Sequence, residues 1–325
     1  MAIFRCNKCG HIREVNISYI GNSGKCPKCK DSIKIYDTVA FVSSLVKLYT
    51  EQSKKLRELQ RIEPINDDEK EIFIEDIDIY NTNIFSKPTS YMPIVSWFKN
   101  RNIKVKINPD AVDTTGFFDE IAVLIGDDFD VLKIVINQIK YIQSKKYTNV
   151  KIDLSKKNKV ELEKIISFCK LLYEYSFIAR FSFNKKEKFI YLNLQEASKI
   201  YEFFNGIWME WFVLIKLMEL AQVNKTPFSL SRNLIVKFSD GVSNELDLFL
   251  LTEKKVPIYI ECKSGEFRQD INKYLLLRKK LKIKKEEFVL CVFGLSDAQT
   301  KGMSMMYDIT FVNEKTLIEY IKSVI

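Results

Sequence analysis

Residues 257–265 constrain this chain more than any other stretch. They open as an apolar, β-prone run, Pro257-Ile258-Tyr259-Ile260, and then deliver Glu261-Cys262-Lys263-Ser264-Gly265. In a strand, residues i and i+2 share a face. Glu261 and Lys263 therefore emerge side by side, with Cys262 on the other face. A carboxylate beside an ammonium at the end of a buried strand is costly unless it is used. Just upstream, Asn244-Glu245-Leu246-Asp247-Leu248-Phe249-Leu250-Leu251 reads as a second strand, followed by a polar turn from Thr252 to Lys255. Paired as a hairpin, the two strands bring Asp247 beside Glu261. Two carboxylates and a lysine so arranged suit a hard cation with a water-activating partner.

Asp247 followed by Glu261-Cys262-Lys263 resembles the PD-(D/E)XK nuclease signature. Before it lies Gly206-Ile207-Trp208-Met209-Glu210, which is similar to the Gly-x-Trp-Leu-Glu segment of the CRISPR ancillary nucleases that answer to cyclic oligoadenylate. The resemblance covers residues from about 200 to 325. It implies an α/β nuclease core in which Glu210 completes the metal site. It further implies Mg²⁺ or Mn²⁺ held by Asp247, Glu261 and the backbone carbonyl of Cys262. Lys263 would then orient or deprotonate the attacking water and offset phosphate charge. The first half of the chain departs from that family. It shows no Rossmann domain for sensing a ring nucleotide, so activation by cyclic oligoadenylate does not carry over.

Residues 1–35 hold the other strong pattern: Cys6-Asn7-Lys8-Cys9-Gly10 and, with sixteen residues between Cys9 and Cys26, Cys26-Pro27-Lys28-Cys29. Two such knuckles supply four thiolates to a tetrahedral zinc. The segment is too short to bury a core of its own, so zinc must provide most of its folding energy. A closed four-thiolate set leaves no open position, which makes this zinc structural. Seven cysteines, four of them in a metal pattern, argue for a reducing, cytoplasmic setting. The chain opens directly into the cysteines, which does not read as a signal peptide. The one histidine, His11, sits inside the cysteine cluster, so histidine-based catalysis is disfavoured.

The 325 residues, 46% hydrophobic and 29% charged, describe a globular chain of about two or three domains. The net charge of +9 suits a polyanionic partner: DNA first, RNA second. No run of 18 apolar residues exists, so no membrane span is expected. Residues 36–65 read as a helical linker, with Val42, Leu45, Tyr49, Leu56 and Leu59 at heptad spacing. Packing on a neighbour is favoured over a homodimeric coil, because three heptads with a polar defect are marginal alone. Residues 66–126 form a small α/β segment without a legible role. Asp127 and Asp128 are expected to cap the helix that begins near Phe129.

Residues 127–194 run helix, strand, helix, hairpin, which is compatible with a winged-helix-like module. The lysines at its hairpin tip, Lys185, Lys186 and Lys188, would meet phosphates. Residues 195–325 carry the nuclease core, a mixed sheet with flanking helices. Arg268, Lys273 and Arg278 follow the active strand and would line a groove for the scissile strand. The whole reads as a multidomain α/β chain: zinc ribbon, winged-helix-like middle, PD-(D/E)XK core. The expected function is a metal-dependent endonuclease of a prokaryotic defence system or mobile element, acting with partner proteins of that system. Two rivals stand beside it: a nucleic-acid-binding regulator with a non-catalytic nuclease fold, and a nuclease switched on by a small ligand.

Overall fold

A computed structural model describes residues 2–6, 8–39, 42–43, 88–108, 116–224 and 227–325. The chain divides into two compact units, residues 1–70 and 71–325. The expected heptad between Val42 and Leu59 lies almost wholly outside the described residues.

The first unit is a four-stranded antiparallel sheet in the order β2-β1-β4-β3. Its strands are β1 (Ala2–Arg5), β2 (Ile12–Val15), β3 (Ser23–Lys25) and β4 (Ser32–Asp37). The core is small: Ala2, Phe4, Ile33 and Ile35, packed with the buried Cys6 and Cys26.

The second unit begins, among the described residues, with α1 (Pro88–Lys99) and β5 (Lys104–Lys106). Then come α2 (Phe117–Asp127), α3 (Phe129–Ser144), β6 (Asn149–Asp153), α4 (Lys159–Glu174), β7 (Ile178–Asn184) and β8 (Phe189–Leu194). The C-terminal part follows with α5 (Ser198–Glu202), α6 (Trp208–Asn224), β9 (Phe228–Lys237), β10 (Ser243–Thr252) and β11 (Pro257–Lys263). The chain closes with α7 (Ile271–Leu281), β12 (Phe288–Val292), α8 (Asp297–Met306), β13 (Thr310–Val312) and α9 (Leu317–Val324).

Six strands form one mixed sheet, β13-β12-β11-β10-β9-β5. The hairpin half is antiparallel, with Leu248 opposite Ile260 and Leu250 opposite Ile258. The β11–β12 and β12–β13 pairs are parallel. β11 is buried on both faces. Ile258, Ile260 and Cys262 join the apolar cluster that contains α6, while Tyr259 joins the cluster that contains Trp97 and Phe98 of α1 and Leu277 of α7. α6 is apolar nearly all round, because helices and sheet enclose it: Trp208, Phe212, Ile215 and Met218 are all buried.

Three features differ from the sequence reading. Residues of the segment without a legible role help build the six-stranded sheet: β5 is its edge strand, antiparallel to β9, and α1 packs on one of its faces. The division at residue 127 falls on the last residue of α2, which lies against α6. There Gly126 leaves room for a ring, since a Cβ at that position would lie 2.1 Å from Phe212. Asp128 takes the expected N-cap position of α3, but the acids here do not cap through their side chains. Asp128 makes no side-chain capping bond to α3. It pairs with Lys164, Asp127 pairs with Lys216 at 3.1 Å, and Asp130 with Lys315 at 2.6 Å, because long lysines outreach the cap geometry.

The helix, strand, helix, hairpin order of residues 127–194 is present, and its sheet runs β6-β8-β7. Its core is not separate. Ile136, Ile165 and Leu192 belong to the same apolar cluster as Trp208 and Cys262.

Candidate active site

Each functional side chain is delivered by a local feature of its element. Gly206, at φ 155°, breaks the helical segment after α5, so that α6 starts afresh at Trp208. Glu210 then falls in the first turn of α6, where a helix favours negative charge. Asp247 sits where the β9–β10 ladder skips a pair. Leu246 faces Leu234 and Leu248 faces Arg232, while Asn233 between them takes φ 57°. On either side of the break the strands change company: Leu246 and Leu234 lie in one apolar cluster, Leu248 in the other.

The hairpin register places Asp247 at the end of β11, and the Cys262 N–H donates to its Oδ2 at 2.8 Å. The neighbouring residues of β11 bond the other way, toward β12: Tyr259 N–H donates to Glu287, and the Lys263 carbonyl accepts from Phe293 N–H. The amide and carbonyl of one strand residue point the same way. The Cys262 carbonyl therefore points to the Asp247 side, as a ligand would.

Glu261 and Lys263 emerge together, with Lys263 Nζ 2.8 Å from Glu261 Oε1. The other Glu261 oxygen accepts from the Tyr259 hydroxyl, one strand repeat earlier on the same face. Glu210 accepts from Arg232 Nη1 at 2.7 Å, and the Arg232 guanidinium lies 4.0 Å from the Trp211 ring centroid. Arg232 and Tyr259 are the partners that sequence reasoning missed. Each carried a signal: Arg232 is a cation in the middle of a largely apolar strand, and Tyr259 stands two residues before Glu261.

A cleft of about 430 Å³ is lined by Glu210, Asp247, Cys262 and Lys263 together with Lys140 and Gly206, while Glu261 stands behind Lys263 and is not among its lining residues. Burial raises the Asp247 carboxyl well above its ordinary range, and the charges of Glu261 and Glu210 raise it further. Burial also raises Glu210, against the pull of Arg232. Burial would lower Lys263, but the charge and hydrogen bond of Glu261 outweigh it and hold the ammonium. Tyr259 is raised by burial and then by Glu261, so it remains a phenol that donates. The charge of Glu261 raises both Asp247 and Glu210, and that of Glu210 raises Asp247, which marks a surplus of negative charge. An oxygen-rich set of this kind, without histidine, fits a hard divalent cation.

In the first unit the four cysteine sulfurs lie within 4.8 Å of one another. Cys6 and Cys29 are 3.3 Å apart, Cys9 and Cys26 3.7 Å, and none is in a disulfide. Tetrahedral thiolates around zinc stand about 3.8 Å apart, from a Zn–S distance of about 2.3 Å. The two knuckles are built alike: Gly10 N–H donates to Cys6 and Lys30 N–H to Cys26, both turning through positive φ. Among the described residues this is the one group of three or more such side chains whose ligand atoms converge so closely.

The expected phosphate contacts fare unequally. Lys185, Lys186 and Lys188 are exposed in the β7–β8 turn. Lys273 is exposed, and Arg268 pairs with Glu266, a residue at the edge of the cleft. Arg278 is not available to a groove. It bonds the Ile283 carbonyl at 3.0 Å and pairs with Asp308, because it closes the C-terminal end of α7.

Residues 197–288 match the family described as "Card1-like, endonuclease domain". Among solved structures, Can2 from Sulfobacillus thermosulfidooxidans, in complex with cyclic tetra-adenylate, has a TM-score of 0.51 and 16% identity. Protein VC1899 from Vibrio cholerae has a TM-score of 0.49, also at 16% identity. Each likeness covers 71% of this chain and 60% of the other, so this chain spans about three-fifths of their length. No curated protein matches the sequence. The region bearing Glu210, Asp247, Glu261 and Lys263 is thus similar to a Card1-like endonuclease domain of the PD-(D/E)XK type.

Proposed function

We propose that the chain is a metal-dependent endonuclease that hydrolyses phosphodiester bonds, of DNA before RNA, in a prokaryotic defence system. The observation that carries this reading is the convergence of Glu210, Asp247, Cys262 and Lys263 on one cleft. Asp247, Glu261, Cys262 and Glu210 would hold Mg²⁺ or Mn²⁺, which when bound supplies Lewis acidity at the phosphate and a nucleophile at neutral pH. The remaining work falls to the chain. Lys263 orients the attacking water and offsets phosphate charge, and Glu261 fixes the Lys263 ammonium. Arg232 holds one oxygen of Glu210 and leaves the other for the site. Trp208, Phe212 and Phe293 wall the core behind α6 with packed rings that exclude water. In the first unit, Cys6, Cys9, Cys26 and Cys29 would hold a structural zinc.

Incubation with single- and double-stranded DNA and RNA, with Mg²⁺, Mn²⁺ or no added cation, tests the reading. Cleavage that requires the added cation supports it. Binding without cleavage of any substrate under all conditions would instead support a regulator with a non-catalytic fold.

A further inference from the structure

The outward face of the three-stranded sheet carries a second constellation. In the ladder, Arg180 faces Asn193 and Ser182 faces Tyr191. On the other side of β8, Asn193 faces Asn149 and Tyr191 faces Lys151. The alternate residues Val150, Ile152, Ile190 and Leu192 point into the core, so these point out. Tyr173, near the end of α4, closes one side. The result is a recess of about 350 Å³ lined by Asn149, Tyr173, Arg180, Ser182, Tyr191 and Asn193. That lies within the range of small-ligand pockets, about 300–1,000 Å³.

Its chemistry is specific. Tyr173 and Tyr191 are 52% and 39% exposed, large rings left to solvent in a half-enclosed site. Lys151 Nζ lies 4.1 Å from the Phe189 ring centroid and 5.7 Å from that of Tyr191, which adds a cation beside the rings. Asn193 Nδ2 donates to Asn149 Oδ1 at 3.0 Å. That bond directs Asn193 Oδ1 and Asn149 Nδ2 to an outside partner. If both amides are turned over, one acceptor and one donor still remain. A ring surface, cations and an adjacent acceptor and donor match the faces, phosphates and edge of a nucleobase. The exposed Lys185, Lys186 and Lys188 continue the positive charge along the same hairpin.

We infer that this face binds single-stranded nucleic acid, with a base stacked on Tyr191 or Tyr173 and its edge read by Asn193 and Asn149. A base within a duplex offers no free face, so single strands are selected. The inference deepens the proposed function, resting on the reading that the chain acts on nucleic acid.

The test uses the full-length chain carrying Asp247→Ala, without added Mg²⁺ or Mn²⁺, so that nothing is cut. Anisotropy of short labelled oligonucleotides, as single-stranded DNA, single-stranded RNA and the duplexes, reads the affinity at several salt concentrations. Single strands should bind more tightly than duplexes. Tyr191→Ala should weaken single-strand binding about tenfold, the loss of one base stack, while Tyr191→Phe keeps it and shows that the fold is intact. Arg180→Ala should reduce the slope of log affinity against log salt by about one contact. Unchanged single-strand binding in both Tyr191→Ala and Tyr173→Ala overturns the inference. So does a Tyr191→Ala chain that binds normally but changes its mass in solution, which would mark the face as a contact between copies. Cleavage by the chain with Asp247 intact is scored separately. No cleavage together with a loss of binding in Tyr191→Ala would end the nuclease reading and leave this site standing.

Discussion

The molecule holds two clusters of side chains suited to metal, and they are built in opposite ways. In the first unit the four cysteine sulfurs face one another with little core around them. In the second, every acid is already held by the protein: Glu210 by Arg232, Asp247 by the Cys262 amide, Glu261 by Tyr259 and Lys263. A cluster whose side chains mainly face one another, over so small a core, depends on its ion to fold. A cluster with a partner for each member folds first and can use its ion as a reagent.

The contrast can be broken most sharply at the cysteines. Structural zinc contributes roughly 10–16 kcal/mol to such small domains. Cys6→Ser, or removal of zinc by a chelator, should therefore unfold the first unit and leave the melting transition of the second unchanged. Circular dichroism with limited proteolysis reads both. A first unit that keeps its protection after complete loss of metal would erase the distinction.

At the carboxylates the loss should be chemical and not structural. Asp247→Ala should abolish metal binding and cleavage together. Lys263→Ala should slow cleavage about a hundredfold or more while metal affinity, by calorimetry, stays near that of the parent. Cleavage by Lys263→Ala at the parental rate would reduce the Glu261–Lys263 pair to a structural role.

The third effect is smaller and tests whether the acids are held by the protein. Arg232→Met leaves Glu210 buried without its cation, a loss of about 3–5 kcal/mol if the carboxylate stays charged. Urea denaturation should show it, and adding Glu210→Gln should recover a large part. Equal destabilisation with and without Glu210→Gln would mean that the stacking of Arg232 on Trp211 is what matters.

The smallest effect is on pH dependence. The folded-state proton affinities of Asp247 and Glu210 are raised above their unfolded values by burial. Their contribution to stability is fully present below the unfolded carboxylate range and is lost as pH rises through the raised folded values. Without divalent cation, the second unit should lose stability from acid toward neutral pH. Added Mg²⁺ or Mn²⁺ should restore it at the neutral end, where the deprotonated acids bind. Urea midpoints across a pH series check the slope, and Asp247→Asn should flatten it.

Much of the site was legible because it rests on local periods. Strand alternation paired Glu261 with Lys263, and the hairpin brought Asp247 to them, as the register of Leu248 with Ile260 shows. The two cysteine knuckles are likewise short-range turns. Side-chain capping by Asp127 and Asp128 was not legible from neighbours in sequence, because their lysines come from α6 and α4.

Local periodicity is enough to say which face each residue of an element presents, and with it the four thiols and the Asp247, Glu261 and Lys263 set. Which residues meet across elements is set by the packed fold. It gave Glu210 its Arg232, placed Lys104–Lys106 at the edge of the mixed sheet, turned Arg278 into a clamp, and left Tyr191 and Asn193 facing solvent on a sheet whose other face is core. The reason is physical: side-chain periodicity is set within a few residues by backbone geometry, while strand order and helix packing are set by the burial of surfaces far apart in the chain.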